Sequence, residues 1–142
     1  MKASRFLTAA LVTGALATAP AFAAEGPGLP SVQQQGGVAF MTGGMRETQA
    51  QAMEQEADRY ALTLHFVREN KSGTEALGDV RVNIRDSADK TVLNATGAGP
   101  LLLAKLPAGK YVISAERGNT MKTQFVTLDG MHPDRLVFAW KQ

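Results

Sequence analysis

There is no cysteine among the 142 residues, which excludes disulfides, thiolate metal ligands and cysteine nucleophiles together. Histidine is scarce as well: only His65 and His132 occur, with no His-x-x-Glu or similar paired spacing, too few ligands for a histidine-based zinc centre. No serine stands in a Gly-x-Ser-x-Gly setting, so the nucleophile-elbow hydrolases are set aside. No apolar run approaches the roughly 20 residues that a membrane-spanning helix needs. Nor is there a block of like charge that would give a footprint for nucleic acid or an anionic membrane surface.

What is present begins with an export signal. Lys2 and Arg5 supply positive charge, Phe6–Ala17 supply an apolar stretch, and Ala21-Phe22-Ala23 supplies small residues at a cleavage site. Residues 1–23 therefore read as a Sec-type signal peptide cut after Ala23, with Pro20 ending its helix. Arg5 is a lone arginine, and without cysteine the chain offers no attachment point for a lipoprotein anchor. The expected location is the periplasm, with no membrane anchor after cleavage. Two of the 15 basic residues lie in this segment and none of the 13 acidic ones, so the mature chain carries 13 of each sign. Its apparent basicity leaves with the signal, and nucleic acid leaves the list of partners with it.

Residues 24–35, AEGPGLPSVQQQ, combine prolines, glycines and three glutamines with little to bury, and are expected to form a disordered leader. The remainder, 36–142, is expected to be one β-sandwich domain with an N-terminal strand and helix. Gly37–Thr42 reads as a short strand running into the Gly43-Gly44 turn. Met45–Arg59 contains good helix formers with no interruption, and Ala50, Met53, Ala57 and Tyr60 fall on one face. Glu54, Glu56 and Asp58 lie largely off that stripe.

After the helix the apolar period changes to two. Leu62, Leu64 and Phe66 alternate with Thr63, His65 and Val67; Val80, Val82 and Ile84 alternate with Arg81, Asn83 and Arg85. Further strands are expected at Thr91–Ala95, Leu101–Leu106, Lys110–Glu116, Thr123–Leu128 and Leu136–Trp140, separated by segments rich in Gly, Pro, Asn and Asp. The resulting fold class is mainly β: an antiparallel sandwich of about seven strands with one N-terminal helix.

Within Gly78–Leu128, the strand Val80–Ile84, the hairpin at Asp86–Lys90, Gly99-Pro100 before an apolar strand, and Leu106-Pro107-Ala108-Gly109-Lys110-Tyr111 follow one another in an order that resembles the carboxypeptidase regulatory-like, or transthyretin-like, β-sandwich domain. The resemblance implies an Ig-like sandwich in which Tyr111 packs inward after the Leu-Pro-x-Gly-x-Tyr element. The mature chain as a whole is similar to small exported proteobacterial proteins that place a Gly-Gly turn and a helix before such a sandwich. A fold of this kind supports many activities, so the likeness bears on architecture first.

Three chemistries are weighed against the residues. A copper carrier could draw on Met41, Met45, Met121, Met131 and His132, although methionine more often fills a core. A carbohydrate platform could use Trp140, Tyr60 and Tyr111, although Trp140 continues the apolar face of Leu136 and Phe138. A hydroxyisourate hydrolase of transthyretin-like fold ends in a Tyr-Arg-Gly-Ser type tail, whereas this chain ends Ala139-Trp140-Lys141-Gln142. The sequence thus points to a non-enzymatic periplasmic binding or protein-interaction module without cofactor, catalytic or metal residues, whose partner is another exported protein. A metal or carbohydrate carrier is the alternative, and a small hydrolase stands behind it.

Overall fold

The computed structural model describes residues 28–141; the expected signal peptide, 1–23, lies outside them. The elements in chain order are β1 (Gln33–Gln35), β2 (Val38–Gly43), α1 (Glu47–Glu56) with a 3-10 turn at Ala57–Arg59, β3 (Leu62–Asn70), β4 (Gly73–Ala76), β5 (Val80–Arg85), β6 (Thr91–Ala98), β7 (Leu101–Ala104), β8 (Gly109–Arg117), β9 (Thr120–Leu128) and β10 (Asp134–Lys141). They form two packed sheets and one helix. Sheet A runs β1-β2-β7-β3-β10, with β4 beside the second half of β3; sheet B runs β6-β5-β8-β9. No helix of the described residues is long and apolar enough to cross a membrane.

The alternation in the sequence decides which side chains meet between the sheets. Leu62, Leu64, Phe66 and Phe138 from sheet A face Val80, Val82, Ile84, Leu93 and Ile113 from sheet B, all at 1% exposure or less. Phe66 and Phe138 lie in register on β3 and β10, and their rings stand 5.9 Å apart with Trp140 beside both. Trp140 is itself buried and its indole N–H donates to the Thr120 carbonyl.

The helical stripe expected from Ala50, Met53, Ala57 and Tyr60 makes a second, smaller core on the outside of sheet A. Met53, Ala57 and Tyr60 pack there with Met41, Leu101 and Leu103, flanked by Ala50, Leu29 and Val32. At ten residues α1 is too short to be stable alone, so this packing holds it. The Gly44 amide ahead of it donates to the Gln49 side chain at 2.8 Å.

Strand β4 was not expected, and two further departures from the sequence expectations bear on how the sheets are closed. The leader, expected to be disordered through Gln35, contains strand β1: Gln33–Gln35 pair with Phe40–Val38 through a two-residue Gly36-Gly37 loop with φ of 52° and 85°. Positive φ at both loop residues is what a tight hairpin needs and what glycine supplies. Glutamines form this strand because Gln35 substitutes for a neighbouring peptide. Its side-chain amide donates to the Asn94 carbonyl at 2.7 Å and accepts from the Asn94 amide at 2.9 Å, closing one corner of the sandwich onto the edge of β6. At the opposite corner Gln124 donates to the Val137 carbonyl, joining β9 to β10. The second departure is β10, which lies parallel to β3 within an otherwise antiparallel fold. The five-residue link from β9 reverses the chain as it crosses from sheet B to sheet A, so β10 runs back against β9.

The two glycine motifs noted in the sequence meet each other. Gly99 passes so close to Gly43 that a Cβ there would stand 2.7 Å from the Gly43 carbonyl oxygen. Thr42 bridges the crossing, its hydroxyl accepting from the Gly99 amide and donating to the Leu101 carbonyl.

Tyr111 is buried on the face it shares with Ile113 and Ala115, and its hydroxyl donates to the Pro107 carbonyl at 2.7 Å. Burial pushes the phenol above its ordinary range, and Asp86 adds to this. Tyr111→Phe keeps the ring and leaves the Pro107 carbonyl without this donor. The expected loss is about 1 kcal/mol in a urea unfolding experiment; a neutral result would show that the hydroxyl does not hold the turn.

Candidate functional site

The outer faces of the two sheets differ in cover. That of sheet A carries α1, whereas no described element lies over that of sheet B, where three rows of side chains cross β5, β8 and β9. They are Arg81, Glu116 and Met121; Asn83, Ser114 and Thr123; and Arg85, Val112 and Phe125. Strand β6 extends the last two rows with Asn94 and Thr91. Most of the polar groups on this face are tied to one another: Arg81 pairs with Glu116, Arg85 with Asp89 at 2.9 Å, Ser114 with Thr123, and Asn83 donates to Thr91.

Phe125 is the exception on this face. It is 77% exposed, and among the described residues it is the one aromatic side chain left in solvent. Its neighbour across the strands is the half-buried Val112, and beside them a shallow groove of about 310 Å³ is bordered by Asp86, Ser87, Lys110 and Thr127. Met121, two positions earlier on the same side of β9 as Thr123, is 59% exposed. An apolar ring flanked by short polar side chains on a flat sheet is the composition of a small docking surface. Covering such a ring is worth about 2 kcal/mol.

Each residue singled out from the sequence has a place. Met41 and Met53 are buried in the second core, whereas Met45, Met121 and Met131 are exposed. Met121 and Met131 lie at opposite ends of β9, with His132 beside Met131. Met41 and Met53 thus share the second core, while the exposed Met121 and Met131 stand apart from each other. Among the described residues no three His, Asp or Glu side chains are grouped as metal ligands. Trp140, Tyr60 and Tyr111 are each about 6% exposed, so none offers a platform. Phe125 does, and it was not among the residues singled out.

The two histidines stand apart. His132 lies in the β9–β10 turn with its Nδ1 2.8 Å from Asp129, whose other oxygen accepts the Met131 and His132 amides. The Asp129 hydrogen bond and charge raise the His132 pKa and hold the Asp129 carboxyl well below the usual range. His65 lies half-buried on the outer face of sheet A, where burial lowers its pKa. Near it Glu54 on α1 forms a two-pronged ion pair with Arg135 on β10. Comparison with known protein families, with curated proteins and with solved structures finds no match for this chain.

Proposed function

We propose that this chain is a non-enzymatic binding module of the carboxypeptidase regulatory-like type, exported to the periplasm, that docks another exported protein through the outer face of sheet B. The observation that carries the reading is Phe125, a large apolar side chain held out into solvent on the sheet face over which none of the described elements lies. Central aromatic anchors ringed by modest polar contacts dominate many protein interfaces. The tied polar groups around Phe125 suit the ring of such a site: they are already satisfied and need not be stripped of unmatched partners.

The test is capture from a periplasmic extract on immobilised protein, with Phe125→Ser alongside. A specific partner is expected on the unaltered protein, with affinity at least about 10-fold weaker for the variant. The melting temperature should be unchanged, since an exposed substitution alters stability by only about 0.5 kcal/mol. Equal capture by both proteins, or capture by neither, would remove this face as the docking site.

A further inference from the structure

Four connections meet at one end of the sandwich: the Gly36-Gly37 loop, the 3-10 turn running into β3, the β7–β8 link and the β9–β10 turn. Between them lies a cleft of about 430 Å³, within the range of small-molecule sites. Its walls are pinned in place. The Lys105 amide donates to the Ala39 carbonyl and the Asp134 amide to the Ala61 carbonyl, both at 2.9 Å. Asp129 ties the Met131 and His132 amides, and Gly130 passes so near Ala108 that a Cβ there would stand 3.2 Å from the alanine methyl. Loops held in this way present their side chains in fixed positions before any ligand arrives.

Two groups on the lining have hydrogen-bonding capacity that the protein leaves unused. Tyr60 is 6% exposed, and its hydroxyl has no hydrogen-bond partner among the described residues, although a buried phenol ordinarily has one. The hydroxyl is not sealed from solvent, and Tyr60 lines the cleft. The Lys105 ammonium stands over the same ring, 5.2 Å from its centroid, and makes no ion pair among the described residues. Of the described residues on the lining, Asp58 is the one acid, against Lys105, Arg59 and His132. Arg59 meets Glu56, which bears on the Tyr60 phenol, at 3.7 Å, and His132 is paired with Asp129. Leu106, Pro107 and Pro133 form an apolar wall beside these polar groups.

We propose that this cleft binds a small organic carboxylate, its acid group held by the Lys105 ammonium and the Tyr60 hydroxyl and its apolar body laid against Leu106, Pro107 and Pro133. An ammonium offers three donors and no acceptor, and a phenol donates one hydrogen bond, so the pair suits an anionic oxygen acceptor. Such charge-assisted bonds are the strong ones. A cation would meet Lys105 and Arg59, and a neutral ligand would leave the ammonium unmatched. An inorganic anion would leave the apolar wall unused. Glu56 and Asp129 offset Arg59 and His132, so attraction at long range is small and recognition rests on the short-range donors. The cleft shares no lining residue with the groove beside Phe125.

The experiment is an amide NMR titration of the purified protein with benzoate, with benzamide as its uncharged counterpart and inorganic phosphate as an anion without an apolar body. Benzoate is expected to saturate with a Kd of about 1 mM, the affinity of a well-placed fragment. It should move the amides of Tyr60, Ala61, Lys105 and Met131 and leave those of β6 in place. Benzamide and phosphate should each bind at least about 10-fold more weakly. Lys105→Gln should weaken benzoate about 10-fold and Tyr60→Phe about 5-fold. Tyr60→Phe should keep the unaltered melting temperature, since its hydroxyl makes no bond within the described residues. Phe125→Ser should bind benzoate as the unaltered protein does, so the outcome is independent of the docking face. The proposal is overturned if benzoate at about 10 mM shifts none of these amides, if benzamide or phosphate matches it, or if Lys105→Gln or Tyr60→Phe binds it unchanged.

Discussion

Gly99→Ala is expected to cost about 3 kcal/mol, the upper end of what one added carbon does in a packed interior. The new Cβ would meet backbone: 2.7 Å to the Gly43 carbonyl oxygen and 2.8 Å to the Gly43 C and Cα. Backbone cannot rotate away as a side chain can, so β2 and the β6–β7 corner would have to separate. That separation would also pull the Gly99 amide from Thr42. Gly78→Ala is the matched control. Its Cβ would lie 3.1 Å from the Met45 sulfur, the end of a flexible and 66% exposed side chain. Neither glycine has a positive φ, so the pair compares steric cost without backbone strain. Urea midpoints should separate the two by about 2 kcal/mol or more; equal midpoints would mean that the Gly43–Gly99 crossing is looser than the structure shows.

Phe66→Ala is expected to lose about 4 kcal/mol, comparable with the whole stability of many domains of this size. Phe66 is fully buried, with ring centroids 5.9 Å from Phe138 and 6.3 Å from Trp140. Removing the ring deletes apolar burial and leaves a cavity bounded by two other rings that cannot collapse into it. Trp140, the sole tryptophan, gives a direct optical readout. Its emission should move to longer wavelength in the folded variant as water gains access. A loss below about 1.5 kcal/mol, or an unchanged emission, would show that the cluster repacks.

The legible parts of this fold are those where one residue pattern admits one arrangement. Val80, Val82 and Ile84 each have a charged or amide-bearing successor, and β5 occupies the very residues expected of it, with the apolar three fully buried. The stripe through Ala50, Met53, Ala57 and Tyr60 likewise faces the sheet. Legibility ends where tertiary partners decide. Nothing in the residue types of Gln33–Gln35 favours a strand; β2 pairs with them across the Gly36-Gly37 loop, and the Asn94 main chain, far along the sequence, holds the Gln35 side chain. The direction of β10 is invisible to any periodicity, which reports faces and not polarity.

The outward placement of Phe125 is hidden from the sequence for a related reason. In β9, Met121, Thr123, Phe125 and Thr127 form one side, while Lys122, Gln124, Val126 and Leu128 form the other. Each set mixes apolar with polar residues, so the pattern does not say which is inside. Leu128 and the half-buried Val126 take the core, and Phe125 is left out. A signal was available in the identity of its neighbours: a phenylalanine between two threonines in phase belongs to a wet face.

The parallel pairing of β10 with β3 also has a consequence in time. Every strand of sheet B lies between these two in the chain, so β3 cannot acquire this neighbour until the chain has passed through the whole of the other layer. Until then Leu62, Leu64 and Phe66 form an apolar strip with an unpaired flank. Contacts so distant in sequence place such a fold among the slow ones, with folding times of milliseconds to seconds. During that interval the nascent strip is a target for any holding factor in its compartment, and β10 is the strand that ends the opportunity.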